Sequence, residues 1–133
     1  MSENPYRIVY RKNEKVKLNA YFNTLEFQCK CAFSDCQYTI ITPALPQILT
    51  LLRDKIMRPI QITSGFRCEK HNLAIEGHPN SLHKFGAAVD IAAHWSEMRW
   101  ISQVLNAIDV PGVGIGKTFC HIDLGIPGRR WTY

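Results

Sequence analysis

A chain of 133 residues with 46% hydrophobic and 20% charged side chains has the size and balance of one ordinary globular core, which excludes the disordered and membrane classes. Its formal net charge of +5 suits either a polyanionic partner or a solubilising surface. Pro43, Pro46 and Arg53 break the longest apolar stretches, so no run approaches the ~20 residues of a membrane span.

In chain order, the polar N-terminus MSENPYRIVYRKNEKVKLN lacks the apolar centre of a secretory signal. The expectation is synthesis in the cytoplasm, with any extracellular work following release or delivery. Residues 1–20 read as a loosely attached arm with a short strand over Tyr6 to Tyr10. The rest carries no repeat, low-complexity tract or linker, so a single domain over residues 1–133 is expected. Five cysteines follow: Cys29, Cys31, Cys36, Cys68 and Cys120. CKCAFSDC could open a structural zinc site with Cys68 as fourth ligand, although its spacing is not a regular CxxC. A disulfide involving Cys36 and Cys68, or plain buried thiols, are the other readings. The odd count leaves at least one thiol free in any case.

Leu45, Ile48, Leu49, Leu52 and Ile56 recur at three-and-four spacing and predict a helix over 43–57, with Thr42 as N-cap and Pro43 in its first turn. Pro59 ends it, and IQITS reads as a strand entering the loop SGFR. A short helix is predicted from Glu69 to Ile75, ending at Gly77, followed by the turn chemistry of EGHPNS. Strand is predicted over Gly86 to Ala93. The apolar face of Met98, Ile101, Val104, Leu105 and Ile108 predicts a helix over 96–107. VPGVGIG and TFCHIDLG read as two strands joined at Gly116-Lys117. Helices mixed with mostly antiparallel strands define an α+β class.

Three residues stand out chemically. His83 precedes the Gly86 to Ala93 strand, Asp90 lies within it, and His121 lies in FCHIDLG. Two imidazoles and a carboxylate form a standard catalytic zinc set that leaves a position open for water. Asp90 among Ala, Val and Ile would be costly to bury unless paired or metal-bound. A structural, hydrogen-bonded role for the same residues is the alternative reading.

The motif S-x-H-x-x-G-x-A-x-D, met here by Ser81, His83, Gly86, Ala88 and Asp90, resembles that of the zinc D-alanyl-D-alanine peptidases, whose fold is shared with lysostaphin-type enzymes and the hedgehog domain. SGFRCEKHN adds Ser64, Gly65, Phe66, Arg67 and Asn72, and GVGIGKTFCHIDLG adds His121; the resemblance runs from about Thr24 to Trp131. It implies a small hedgehog/DD-peptidase-like domain with one catalytic Zn2+ held by His83, Asp90 and His121. It also implies Arg67 as a catalytic clamp on a substrate carbonyl or carboxylate, with Ser81 and Asn72 at the substrate. Ser81 bracing His83, or simply capping a turn, is the alternative there.

The resemblance further implies peptidoglycan stem peptides as substrate, cut by a carboxypeptidase or endopeptidase, and a phage lysis or tail-associated role. Better-known members place an acid three positions before the last histidine, where this chain has Thr118. Asp123, two residues after His121 and so on the same strand face, is the expected general base, ahead of a role orienting a histidine. Glu76 and His78 are weaker substitutes. His71 and His94 are expected outside the ligand set. Trp131, with Arg129 and Arg130, is expected either to pack over the last strand beside the cleft or to form a solvated basic tail. No nucleic-acid partner is expected, because the basic residues are dispersed along the chain and not gathered with aromatics; a monomer without a membrane partner is expected as well. Two rival readings keep the fold without the activity: a non-catalytic metal-binding module and a structural virion or tail protein.

Overall fold

The computed structural model describes residues 6–133. The α+β class holds. Five strands, β3 (Ile62–Ser64), β4 (Ala88–Ala92), β5 (Gly112–Ile115), β6 (Phe119–Asp123) and β7 (Arg129–Thr132), form one sheet in the order β3-β4-β6-β5-β7. Every pairing in it is antiparallel except β5 with β7. Two further strands, β1 (Ile8–Arg11) and β2 (Tyr38–Ile41), form a separate antiparallel ribbon. The predicted strand at Tyr6 to Tyr10 thus begins two residues later, and within the segment expected to be an arm Tyr10 and Leu18 pack against the core.

Helix α1 (Ala44–Ile56) buries Leu45, Leu49 and Leu52, and α3 (Met98–Ala107) buries Ile101, Val104 and Leu105, on the stripes their spacing marked. Both stripes join one cluster with Val89, Ile91, Val113, Cys120 and Ile122 from the sheet. At about 1.5–3 kcal/mol for each fully buried large side chain, this contact fixes which face of the sheet turns inward. Successive strand residues point to opposite faces, so Asp90 on β4 and His121 and Asp123 on β6 face away from the helices.

The expected Thr42 cap is corrected. Pro43 is the N-cap of α1 and offers no side-chain bond; Thr42 is buried and its hydroxyl has no partner. The Leu45 N–H bonds the Thr42 carbonyl instead, because Thr42 is committed to the turn where β2 meets Gly86, its own N–H bonding the Gly86 carbonyl at 2.9 Å. Helix α2 (Glu69–Ala74) is capped by Cys68, whose Sγ accepts the His71 N–H. A 3-10 turn, Leu82–Phe85, ends at Gly86, where φ is +69° and a Cβ would strike the Ile40 carbonyl. Glycine is the residue that meets both conditions, which explains its place between His83 and the strand that carries Asp90. No helix of the described residues is long and apolar enough to cross a membrane.

Candidate metal centre

Register brings the site together. Asp90 and His121 are direct partners across β4 and β6, and His83 is delivered by the 3-10 turn before β4. One ligand atom from each of these residues lies within 4.8 Å of the other two. All three are buried.

His83 is fixed on every side. Its N–H bonds Ser81 Oγ at 3.3 Å, and its carbonyl accepts the Arg67 N–H at 3.1 Å. Its Nδ1 stands 2.8 Å from the Gly65 carbonyl, which can only accept, so Nδ1 carries the proton. Its Nε2 then lies 3.3 Å from Asp90 Oδ1. This buried Nε2 has no hydrogen-bond partner. Buried polar atoms are rarely left without a partner, and this one stands among the converging ligand atoms of Asp90 and His121.

His121 repeats the pattern with both nitrogens. Nδ1 lies 2.8 Å from Asp90 Oδ1, and Nε2 lies 2.9 Å from Asp123 Oδ2. Burial opposes charging of this ring, but the bonds to Asp123 and Asp90 raise its pKa above the ordinary value. Burial likewise pushes the Asp90 carboxyl up, and the two imidazoles outweigh it and hold the group well below the usual carboxylate range. Asp123 is lowered in the same way, burial being overcome by His121 and by the Gly125 N–H at 2.9 Å on Oδ1.

Arg67 completes the far side of Asp90, with Nη2 3.4 Å from Oδ2 and Nε 3.0 Å from Ser64 Oγ. Asn72, expected at the substrate, is 2% exposed and braces Arg67. Its Oδ1 accepts from Arg67 Nη1 at 3.4 Å, while its Nδ2 donates to the His78 carbonyl at 2.9 Å. Ser81 holds His83 and also lines the cleft.

The site opens into a cleft of about 540 Å³ whose walls include Arg67, His78, Ser81, Phe119, Trp131 and Tyr133. Two features of this wall went unread in the sequence. GRRWT is a strand, β7, paired in parallel with β5 so that Trp131 lies beside Gly114. The absent side chain at Gly114 leaves the space the indole occupies, and Trp131 reaches His121 at 5.2 Å between ring centroids. Gly112 similarly leaves room for the Asp123 carboxylate, which a Cβ there would strike. Arg129 stacks on Trp131 at 4.2 Å and stands 3.8 Å from Asp123 Oδ2. His94 is exposed and bonded to Ser96, and neither it nor His71 joins a metal-ligating group among the described residues.

Two long helices cover one face of a mostly antiparallel sheet, and a His-Asp-His set that could hold a metal ion opens into a cleft on the other, in a small α+β protein. Residues 20–123 match the family model for Peptidase M15, and the chain belongs to that peptidase family. A search of curated proteins returned no match.

The shifted groups set a pH dependence for the metal-free protein. Asp90 and Asp123 are depressed, so their contribution is present above the ordinary carboxylate pKa of about 4 and is lost as pH falls through their folded values. His121 is raised, so its contribution is present below about 6.5 and is lost as pH rises through its folded value. Melting temperature with chelator present should therefore peak between roughly pH 4 and 6.5. A metal ion bound at this set would take the place of the His121 proton and should restore the alkaline side. A melting temperature that climbs steadily from pH 6 to 8 without metal would contradict this assignment.

Proposed function

We propose that the chain is a zinc-dependent peptidase that cleaves peptidoglycan stem peptides, as a carboxypeptidase or an endopeptidase, in phage-associated lysis or wall penetration. The observation that carries the reading is His83 Nε2, buried, without a hydrogen-bond partner and 3.3 Å from Asp90 Oδ1, where the ligand atoms of His83, Asp90 and His121 converge. The donors suit zinc: two imidazoles and one carboxylate, with a cleft at the fourth side. Bound there, zinc would supply Lewis acidity, activating water and polarising the scissile carbonyl.

The chain's own groups do the rest. Arg67, tied to Ser64, Asn72 and Asp90, presents a fixed guanidinium to the cleft, suited to a substrate carbonyl or terminal carboxylate. Phe119, Trp131 and Tyr133 supply apolar walls that orient a peptide. For Asp123, general base and orienting carboxylate are both open. Its bonds to His121 and Gly125 support the orienting role. The net charge of +5 favours approach to anionic wall polymers.

Thr118 at the position three before His121 keeps the non-catalytic module as the second reading, since a hydroxyl there is no general base. Mass spectrometry of muropeptides after incubation with zinc-loaded protein separates them. New peptide termini that vanish with chelator are expected for the peptidase. Intact muropeptides from a fully zinc-loaded chain would leave only the binding module.

A further inference from the structure

A second convergence of ligands lies outside the cleft. Cys68 Sγ is 3.8 Å from both Cys29 Sγ and Cys31 Sγ, and the sulfurs of Cys29, Cys31, Cys36 and Cys68 all lie within 4.8 Å of one another. All four are free thiols. Sulfurs at the corners of a tetrahedron with Zn–S of about 2.3 Å stand about 3.8 Å apart, the separation of the two pairs here. The fifth cysteine, Cys120, is buried in the core cluster with apolar neighbours.

The groups around the sulfurs are donors. The Cys68 N–H points to Cys29 Sγ at 3.4 Å and the His71 N–H to Cys68 Sγ at 3.4 Å. Lys12 Nζ stands 3.4 Å from Cys31 Sγ and 3.6 Å from Cys36 Sγ. Neutral thiols are weak acceptors and have little need of an ammonium and two amides. Four thiolates on a divalent cation carry a net negative charge, which such neighbours offset.

We propose that Cys29, Cys31, Cys36 and Cys68 form a structural zinc site, separate from the His83, Asp90 and His121 centre. Binding exchanges the thiol protons, released to solvent, for four Zn–S bonds, with no change of oxidation state. A hollow of about 730 Å³, lined by Lys12, Cys29, Cys31, Phe33 and Cys36 among others, gives the ion an entry path. Four ligands from the protein close the coordination shell, the mark of a structural and not a catalytic ion.

The site has a consequence for the cleft. Cys68 caps α2 and directly follows Arg67, and the 29–36 segment has no other covalent tie to it. Phe27 carbonyl accepts the Phe66 N–H at 2.7 Å, so the same two segments already meet one residue before the arginine. The ion would clamp the loop that presents Arg67 to a rigid neighbour.

The proposal is independent of whether the cleft cleaves peptides, and cobalt distinguishes the two sites by their donors. The full chain, reduced and reconstituted with Co2+, should show a near-ultraviolet thiolate-to-cobalt charge-transfer band. The band should persist in the His83→Ala/His121→Ala variant, where one metal per chain remains, and disappear in Cys31→Ser/Cys36→Ser. Absence of the band from the parent chain, its persistence in the double serine variant, or a disulfide among the four residues found by peptide mapping of the purified protein would each overturn the site. Should the serine variant fail to fold, the parent and the His83→Ala/His121→Ala variant decide the matter alone.

Discussion

Replacing Asp90 with alanine should abolish stoichiometric zinc at the His-Asp-His centre and lower peptide-bond cleavage by on the order of a thousandfold or more. A catalytic metal supplies several kcal/mol of transition-state stabilisation, and each 1.4 kcal/mol or so is a factor of ten in rate. Asp90 is the residue to change because the other groups meet on it. Its Oδ1 faces both His83 and His121, and its Oδ2 faces Arg67. Zinc content by elemental analysis and muropeptide release by mass spectrometry read the two effects separately. A variant that keeps its zinc at this centre and still cuts would place the chemistry elsewhere.

The same substitution tests what holds the site when no metal is bound. Removing the carboxylate leaves the Arg67 guanidinium, 14% exposed at its side chain, without its counter-charge, and strands Nδ1 of the buried His121. Losing one partner of a largely buried charged pair costs about 3 kcal/mol, which urea unfolding of the metal-free proteins would measure. Asp90→Asn keeps an oxygen acceptor and the local volume, so it should recover part of that stability and little of the zinc affinity. This split separates Asp90 as a ligand from Asp90 as a structural hub, since a purely structural residue would lose activity and stability in step.

Local pattern carried much of the fold into view. The two long helices lie within a residue or two of their periodic stripes, and β4 and β6 fall where small and alternating residues indicated. What escaped was pairing between distant segments. Strand β2 is four residues running almost directly into α1, too short to show a period, and its partner β1 lies nearly thirty residues upstream. Strand β7 begins with two exposed arginines, and its sequence left packing beside the cleft and a solvated basic tail equally open; it is held by parallel pairing to β5, a contact no local pattern predicts. In the site, period two placed Asp123 on the face of His121, but not the nitrogen it meets, which depends on the space left by Gly112. Asn72 carried no local sign that it would end up buried beneath Arg67, because its partners come from the loop around His78 and from the arginine itself.

Asp123→Asn decides between the two roles open to that residue. A general base needs a carboxylate oxygen free to reach the attacking water, yet Asp123 is 1% exposed and both its oxygens are engaged, Oδ2 by His121 Nε2 and Oδ1 by the Gly125 N–H. A carboxylate on Nε2 fixes the proton there and leaves the Nδ1 lone pair on the Asp90 side, where a metal would take it. An orienting group of this kind is worth about 10–100-fold in metal affinity. Asp123→Asn should therefore bind zinc more weakly by that factor and recover most of its activity when zinc is supplied in excess. The raised pKa of His121 should also fall, shifting the alkaline loss of stability in the metal-free protein to lower pH. A base would behave otherwise: zinc affinity unchanged, and a rate loss of about 10²–10⁴ that no excess of zinc restores. Zinc titration of muropeptide cleavage by this one variant separates the outcomes, because an orienting carboxylate is lost through occupancy and a base through turnover.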